Sequence, residues 1–231
     1  MSAARNEVVG TQGTARDEVL RRVRAAIADV AEPDPAADVP VTWVYGRHLG
    51  TVDVLADFVE KVEDYKAGIS RCRPDEVPAA VVAALASFDV TSVVLPAGIP
   101  PEWTDAVEGA GIEVRRDDPP LTSQQLNGTD AVVTTAAVGM ADSGTIALDH
   151  GPGQGRRALT LLPDVHVCVI AADQVVSDVP EGIARLAPGL RARRPVTWLS
   201  GGSATSDIEL DRVEGVHGPR HLAVVLVTPA G

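Results

Sequence analysis

Four apolar runs with little polar alternation constrain the fold of this 231-residue chain more than any other feature. They are Ser92 to Leu95, Asp130 to Val138, Val165 to Ala171 and Leu222 to Val227. A strand with one face in water alternates apolar and polar residues, whereas a strand covered on both faces reads as a continuous apolar run. The sequence therefore predicts a sheet that is covered on both faces. Aromatic residues make up 3% of the chain, so its core must be aliphatic.

Helical patterns lie between these runs in the first half of the chain. Helices are predicted over Val52 to Tyr65 and over Pro74 to Phe88, and another begins at Pro101 and stops at Gly109 or Gly111. Helix–strand alternation requires crossover connections, which join parallel strands and place helices on both faces of the sheet. We therefore predict an α/β protein with a largely parallel, partly mixed sheet and helices on both faces.

The second half of the chain has a different pattern. Asp130 to Val138 and Thr145 to Asp149 are β-like runs with a glycine-containing segment between them, which predicts a hairpin or a bulged pair. A short helix is predicted over Pro180 to Leu186, ended by the Pro-Gly pair at 188–189. Pro195 to Leu199 is predicted as a further strand of the sheet.

The N-terminal region lies outside this alternation. Thr14 can cap a helix that runs through Val30, and the proline-containing segment Glu32 to Pro40 is typical of a linker. We expect residues 1–40 to form a tail, a helix and a linker, and residues 41–231 to form a single α/β domain. The N-terminus lacks the apolar core of a signal peptide, and no apolar run approaches the roughly 18 residues of a membrane span. These features predict a cytoplasmic protein.

Charge and cysteine content argue against several classes of function. The chain has 20 Lys+Arg against 32 Asp+Glu, a net charge of −12, so it repels phosphate backbones and nucleic-acid binding is not expected. Cys72 and Cys168 are far apart and belong to no C-x-x-C pair, which argues against a structural zinc or an iron–sulfur cluster. Arg71 and Arg73 would lower the pKa of the Cys72 thiol if that thiol were exposed. We expect no metal and no tightly bound cofactor.

A cluster of small, hydroxylated and acidic residues follows the strand predicted to end at Leu199. A strand, a glycine loop and a helix start in this order present free backbone N–H groups to an anionic ligand. The helix is predicted to begin near Ile208, and its start needs only one cap and one glycine. The excess of polar residues predicts a loop that binds a small anion, with the candidates Gly201, Gly202, Ser203, Thr205, Asp207 and Glu209.

A second candidate segment lies between the two β-like runs of the second half. It consists of Asp142, Ser143, Gly144 and Thr145. Gly144 would let the backbone approach a ligand closely, and the two hydroxyl groups can donate and accept hydrogen bonds. The alternative interpretation is a β-bulge with hydrogen-bonding turn residues.

Two further polar features leave alternatives open. Arg156 and Arg157 follow a glycine-rich loop and form either a clamp for a carboxylate or phosphate or a solvated basic pair. His217, in the turn GVHGP, is either a general acid or base or a residue that holds the turn by hydrogen bonds. The second role is favoured because no carboxylate partner lies in its own segment. His217 therefore stays a candidate, and the catalytic residues are unknown.

Three segments taken together resemble the lactate-utilization protein C family, also called the LUD domain family. They are ADSGTI (Ala141 to Ile146), SGGSATSDIE (Ser200 to Glu209) and EGVHGP (Glu214 to Pro219). Their order and spacing match, and the resemblance extends from about Val41 onward. The common family form has a proline at Gly202, an alanine at Ser206 and a threonine at Ser143, and these small changes keep a hydroxyl or a small residue.

The resemblance implies a NagB/RpiA/CoA-transferase-like α/β fold. It also implies a part in the oxidation of L-lactate to pyruvate beside two iron–sulfur partner proteins, as the component without clusters. Relatives by fold bind sugar phosphates or CoA thioesters near glycine loops, so a stand-alone isomerase of sugar phosphates or a CoA-transferase-like enzyme is the alternative. A shared fold alone does not decide between them.

Overall fold

A computed structural model describes residues 14–30, 34, 37, 40, 53–202, 204–205, 213–214 and 218–229. The chain divides into two units, residues 1–45 and 46–231. In the first unit, helix α1 (Ala15–Ala26) ends four residues before the predicted Val30. Its start is a capping box, because Thr14 Oγ1 accepts the Asp17 N–H at 3.3 Å and Asp17 Oδ2 accepts the Thr14 N–H at 3.0 Å.

The second unit contains the helices and strands that position the candidate site. Its α-helices are α2 (Val54–Asp64), α3 (Val77–Ala86), α4 (Pro101–Gly109), α5 (Ser123–Asn127) and α6 (Val179–Arg191). Its strands are β1 (Gly68–Cys72), β2 (Ser92–Leu95), β3 (Glu113–Arg116), β4 (Ala131–Thr135), β5 (Val138–Met140), β6 (Thr145–Leu148), β7 (Val165–Ala171), β8 (Val175–Val176), β9 (Thr197–Leu199), β10 (Ala204–Thr205), β11 (Val213–Glu214) and β12 (His221–Val227). Within the described ranges, no helix has the length and apolar character needed to cross a membrane.

A six-stranded parallel sheet with the order β1-β12-β7-β4-β2-β3 forms the centre of this unit. The predicted strands Ser92–Leu95 and Val165–Ala171 have these bounds in the structure. β7 lies between β12 and β4, and its residues from Val165 to Ile170 are buried, as a strand covered on both faces requires. The structure therefore confirms an α/β fold with a mainly parallel sheet.

The two faces of this sheet have different covers. On one face, Leu85 of α3 and Val107 of α4 pack against the strands, with Val167 in the same core. On the other face, Phe58 of α2 and Ile146 of β6 share a core with strand residues. The second cover thus combines a helix with a four-stranded sheet of order β8-β5-β6-β9. Only β5 and β8 are parallel in that smaller sheet.

The predicted single strand Asp130 to Val138 is wrong, because the chain changes sheets within it. β4 ends at Thr135, whose N–H donates to the Gly153 carbonyl at 2.9 Å, and β5 begins three residues later in the smaller sheet. Gln174 Nε2 donates to the Ala136 carbonyl at 2.7 Å between the two strands. Both strands are buried, so their residues form one continuous apolar run in the sequence. The change of sheet is therefore not visible in the sequence pattern.

The other predictions for the second half have mixed outcomes. β5 and β6 form the predicted antiparallel pair, with Val138 opposite Ala147. The predicted end of the next helix at Pro188-Gly189 is wrong, since α6 continues to Arg191. A proline inside a helix removes one backbone hydrogen bond. Near the end of α6 this loss does not stop the helix, because buried Leu186 packs the same turn against the protein. The predicted strand from Pro195 is shorter and begins at Thr197.

Candidate functional site

Strands β6 and β9 bring the two candidate segments together. The strands are antiparallel neighbours, with Ile146 opposite Leu199, so the residues flanking this pair also face each other. Thr145 Oγ1 and Ser200 Oγ are 2.8 Å apart, a hydrogen bond between residues 55 positions apart in sequence. The ADSGT segment and the beginning of the glycine loop therefore form one structural unit.

Two glycines of these segments are needed for packing on the end of helix α2. Gly144 and Gly201 have positive φ angles, +59° and +85°. A Cβ atom at Gly144 would lie 2.7 Å from the carbonyl carbon of Lys61, and one at Gly201 would lie 2.7 Å from the Tyr65 Cβ. At Gly144, the close approach that the sequence suggested for a ligand is thus made by the backbone of α2.

The remaining described residues of the segments differ in exposure. A Cβ atom at Gly202 would lie 2.3 Å from the Arg220 carbonyl oxygen, so this glycine is also a packing residue. Asp142 is exposed, and its N–H donates to the Ser177 carbonyl at 3.0 Å. Ser143 Oγ is buried and has no hydrogen-bond partner among the described residues. An unpaired buried hydroxyl is costly, so it marks a position where a ligand or water would be favourable.

Part of the predicted loop lies outside the described residues. The residues outside the description include the helix start predicted near Ile208 and the candidates Ser203, Asp207, Glu209 and His217. Thr205 is described, as part of β10, where it pairs with Val213 of β11. The backbone of Thr205 therefore lies in a strand pair beside the predicted loop.

A cavity of about 480 Å³ opens beside the described part of the glycine loop. We call it the glycine-loop cavity. Its wall includes Arg157, His166, Ser200, Gly201, Gly202 and Pro219. Gly218 and Pro219 also line it, so the residues just before β12 and the loop after β9 meet at this cavity.

The two arginines after the glycine-rich loop have different environments. Arg156 binds Asp117 with two hydrogen bonds, from Nε at 2.7 Å and from Nη2 at 2.9 Å. Burial raises the pKa of Asp117, but the bonds from Arg156 and from the Leu121 N–H outweigh it and the pKa is lowered overall. Arg157 is exposed and forms no ion pair or hydrogen bond through its guanidinium within the described part of the chain. Arg156 is therefore structural, and Arg157 is the cation available to a ligand.

His166 is a candidate that the sequence analysis missed. It lies on the central strand β7, is 1% exposed, and lines the glycine-loop cavity. Its Nε2 is 2.7 Å from Thr134 Oγ1, and its Nδ1 is buried without a partner among the described residues. Burial lowers the pKa of His166 to about 4, so the ring is neutral near pH 7. A histidine inside an otherwise apolar strand was the available signal.

The cysteines do not offer reactive thiols. Cys72 is buried, so the condition of an exposed thiol beside Arg71 and Arg73 is not met. Burial raises the pKa of its thiol, and Glu76 and Asp75 add to this effect. Burial raises the pKa of Cys168 to about 12. Within the described ranges there is also no group of three or more His, Cys, Asp or Glu that could hold a metal ion.

A larger cavity of about 700 Å³ lies at the carboxyl ends of β2 and β3. It is lined by Gly98, Arg116, His150 and Gly155, and Arg157 lines both cavities. His150 is held in the loop, because its Nδ1 is 2.7 Å from the Gly155 carbonyl and its Nε2 is 2.9 Å from Thr197 Oγ1. Crevices at the carboxyl ends of parallel strands are common ligand positions in α/β proteins.

The fold and the cavities define an α/β protein with a parallel central sheet, a smaller mixed sheet and a polar cavity beside a glycine loop. The chain belongs to the LUD domain family, whose model matches residues 55–227. This match confirms the resemblance inferred from the three short segments.

Curated relatives share one name. A protein from Deinococcus radiodurans called "Lactate utilization protein C" is 45% identical over 213 residues, covering 92% of this chain and 95% of that protein. Proteins of the same name from an Exiguobacterium species and from Bacillus subtilis are 34% and 31% identical. Those matches cover 42% of this chain and 44% and 41% of the relatives.

A solved structure supports the fold. It is described as a DUF162 family protein from Deinococcus radiodurans, determined at 1.70 Å resolution. The similarity has a TM-score of 0.65 and 43% sequence identity, and it covers 75% of this chain and 96% of that one.

Proposed function

We propose that this chain is the component without clusters in a cytoplasmic system that oxidises L-lactate to pyruvate. In this proposal it binds a small anionic ligand in the glycine-loop cavity and acts beside iron–sulfur partner proteins. The Deinococcus radiodurans relative named for lactate utilization supports this role, because its match extends over nearly the whole of both chains. The partner proteins are carried over from the family resemblance.

Arg157 is the residue that most directly supports an anionic ligand in this cavity. Arg157 lines the cavity, and its guanidinium has no carboxylate partner within the described ranges, although the protein has a net charge of −12. Two other arginines near the cavities do have such partners, since Arg156 binds Asp117 and Arg194 binds Asp149. A planar guanidinium left unpaired at a cavity suits a carboxylate, which it can bind through two parallel hydrogen bonds.

The candidate loops complete this proposed site. The hydrogen bond between Thr145 and Ser200 joins the ADSGT segment to the loop that lines the cavity. Ser143, two residues before Thr145, adds a buried hydroxyl that has no partner in the described part of the chain. In this proposal, four residues set the backbone conformation of the two segments: Asp142, Gly144, Gly201 and Gly202. The predicted ligand contacts are still Ser203, Thr205, Asp207 and Glu209. This arrangement favours a small ligand with one anionic group and further hydrogen-bonding groups.

A growth experiment tests the ligand part. A strain that lacks its own copy of this gene is complemented with the full chain or with Arg157→Gln, and growth on L-lactate is compared with growth on glucose. We expect Arg157→Gln to slow growth on lactate alone. Arg191→Gln, at an exposed arginine in the last turn of α6, is the matched control and should complement fully. Full complementation by both variants would contradict a role for Arg157.

A pull-down experiment tests the partner part. The tagged full chain is recovered from cells grown on lactate, and the co-purified proteins are assayed for iron, acid-labile sulfide and lactate-dependent electron transfer. We expect iron–sulfur proteins in lactate-grown cells. Turnover of a sugar phosphate or a CoA thioester by the isolated chain, with no iron–sulfur protein recovered, would instead support the alternative of a stand-alone enzyme.

A further inference from the structure

The larger cavity, of about 700 Å³, lies where the connections of the central sheet change direction. From the carboxyl end of β2 the chain passes through α4 to β3, the neighbour of β2 on one side. The neighbour on the other side is β4, and from its carboxyl end the chain continues to β7, on the far side of β4. Connections that leave adjacent parallel strands in opposite directions open a crevice at their carboxyl ends, where ligands of α/β proteins commonly bind. We call this space the switch-point cavity.

Two glycine-containing loops border the switch-point cavity. A Cβ atom at Gly98, in the loop after β2, would lie 2.7 Å from the Gly153 nitrogen of the second loop. The Gly153 N–H donates to the Ala97 carbonyl at 2.8 Å, and the Gly153 carbonyl accepts the N–H of Thr135, the last residue of β4, at 2.9 Å. The second loop is therefore tied to the carboxyl ends of both strands. Ala97 and Gly98 line the cavity, and their N–H groups donate to no acceptor within the described ranges.

The charged residues that line this cavity have a positive balance in an acidic protein. Arg116, the last residue of β3, is exposed, and its guanidinium has no ion pair or hydrogen bond among the described residues. Arg157 is unpaired in the same way. Arg156 and Asp117 neutralise each other, so Asp118 is the one unpaired acid among the described lining residues. Two guanidinium groups at one cavity favour a ligand group that carries two negative charges.

Apolar side chains form much of the remaining wall. They come from Leu95, Pro96, Ile99, Pro152, Leu159 and Pro195. The volume of the cavity is within the range of sites for small organic molecules, about 300 to 1,000 Å³. We propose that the switch-point cavity binds a phosphate monoester with an apolar body, and that Arg116 and Arg157 bind its phosphate. Such a phosphate carries close to two negative charges near pH 7, and the body suits the apolar wall.

This inference goes beyond the proposed function, because it assigns a second site with a different class of ligand. Arg157 lines both cavities, whereas Arg116 lines only the switch-point cavity. Substitution of Arg116 therefore tests the second site without changing the glycine-loop cavity.

Calorimetric titration of the full chain with phenyl phosphate tests the ligand class. The comparison probes are inorganic phosphate, which lacks the apolar body, and succinate, which carries its two charges on separate carboxylates. We expect phenyl phosphate to bind about tenfold more tightly than either, the effect of burying one apolar group. In ¹H–¹⁵N spectra the amide signal of Gly98 should shift on addition of phenyl phosphate, and that of Gly202, in the glycine-loop cavity, should not.

A variant pair tests the position of the site. We expect Arg116→Gln to weaken the binding of phenyl phosphate about tenfold or more, the effect of a lost charge-assisted hydrogen bond. Arg71→Gln is the matched control, at an exposed arginine near the end of β1 on the opposite edge of the sheet, and should bind like the wild type. Both arginines are exposed, so the melting curves of the two variants should match that of the wild type.

Three results would overturn the inference. Succinate binding as tight as that of phenyl phosphate would exclude a phosphate monoester as the ligand class. An unchanged affinity in Arg116→Gln, or a shift of the Gly202 signal in place of the Gly98 signal, would place the anion elsewhere. No binding of phenyl phosphate to the wild type at millimolar concentration would mean that the cavity is not a site for this class. The proposed function does not depend on Arg116, so its growth and pull-down tests stand in each case.

Discussion

The loop around Gln154 and the candidate site both bury polar atoms. In the loop, Gln154 Oε1 and the ring nitrogens of His150 all have hydrogen-bond partners. Gln154 Oε1 accepts the N–H groups of Asp149 and His150, at 2.7 and 3.1 Å. Both ring nitrogens of His150 are also bonded. In the candidate site, by contrast, Ser143 Oγ and His166 Nδ1 are buried without partners in the described part of the chain.

This difference separates polar groups that hold the fold from polar groups that are available to a ligand. The loop HGPGQGR has the composition of a ligand loop, yet its own backbone uses the hydrogen-bonding groups of its side chains. The strand VHVCVI has the composition of a core strand, yet the buried Nδ1 of its His166 has no partner among the described residues. Unpaired buried atoms are therefore the better sign of function in this protein, since natural proteins keep such costs mainly at functional sites.

The substitution Gly202→Ala should have the largest effect on stability, because the comparison assigns this loop glycine to packing. A Cβ atom there would lie 2.3 Å from the Arg220 carbonyl oxygen, next to strand β12. We expect the free energy of unfolding to fall by about 3 kcal/mol, measured by urea denaturation. Gly109→Ala, at an open position in α4, is the control and should gain up to about 1 kcal/mol. Wild-type stability in Gly202→Ala would show that the loop glycine has a different role.

Gln154→Ala tests the loop in which the polar atoms are paired. The change removes the acceptor of two backbone N–H groups, and Gln154 is only 5% exposed, so water cannot easily replace it. We expect a loss of about 2 to 3 kcal/mol in the free energy of unfolding. The matched control Gln124→Ala, at an exposed glutamine on α5, should change it by less than about 0.5 kcal/mol. Similar losses in the two variants would mean that the side-chain bonds of the loop contribute little.

The stability of the protein should depend on pH through His166. The folded protein takes up the His166 proton only near pH 4, whereas the unfolded chain takes it up near pH 6.5, so the unfolded state binds more protons between these values. Stability is therefore complete above about pH 6.5 and falls as the pH is lowered towards 4. Between about pH 7 and pH 5 we expect a loss of about 2 kcal/mol in the free energy of unfolding.

The control for this pH dependence is His166→Gln, which has no titrating group at that position. Its stability should change less than that of the wild type over the same interval. Three carboxyl groups with lowered pKa values also contribute to stability: Asp117, Asp130 and Asp164. Their contributions to the free energy of unfolding are lost only below about pH 4, outside this interval. Parallel pH profiles for wild type and variant would mean that the pKa of His166 is the same in the folded and unfolded protein.

A pair of conservative substitutions should give the smallest effects. Thr145→Val removes the hydroxyl that bonds Ser200 and should cost about 1 kcal/mol of unfolding free energy. Ser143→Ala removes a buried hydroxyl without a partner in the described chain, so it should be neutral or slightly stabilising. Thermal melts of the two variants measure the difference. A loss in Ser143→Ala as large as that in Thr145→Val would show that the Ser143 hydroxyl is bonded in solution.

Local sequence patterns were sufficient for most elements of the central sheet. The bounds of β2 and β7 are those predicted, and α4 ends at Gly109, one of the two glycines predicted to stop it. These elements follow from apolar runs, from Pro101 at the start of α4 and from the glycines after it, all of which act within a few residues. Asp130 to Val138 could not be divided from its pattern, because buried strands of two different sheets have the same composition.

The candidate site was predictable only in part, because local patterns show residue types but not which distant residues meet. The residue types of the ADSGT and SGG segments are visible in the sequence, and their contact through Thr145 and Ser200 follows from the pairing of β6 with β9. The sequence by itself determined which groups could donate, accept or carry charge. Only the tertiary structure decided which of them found a partner, because Asp117 reached Arg156 and Thr134 reached one side of His166. Pairing depends on distances between residues far apart in the chain, and these distances exist only once the sheets are packed.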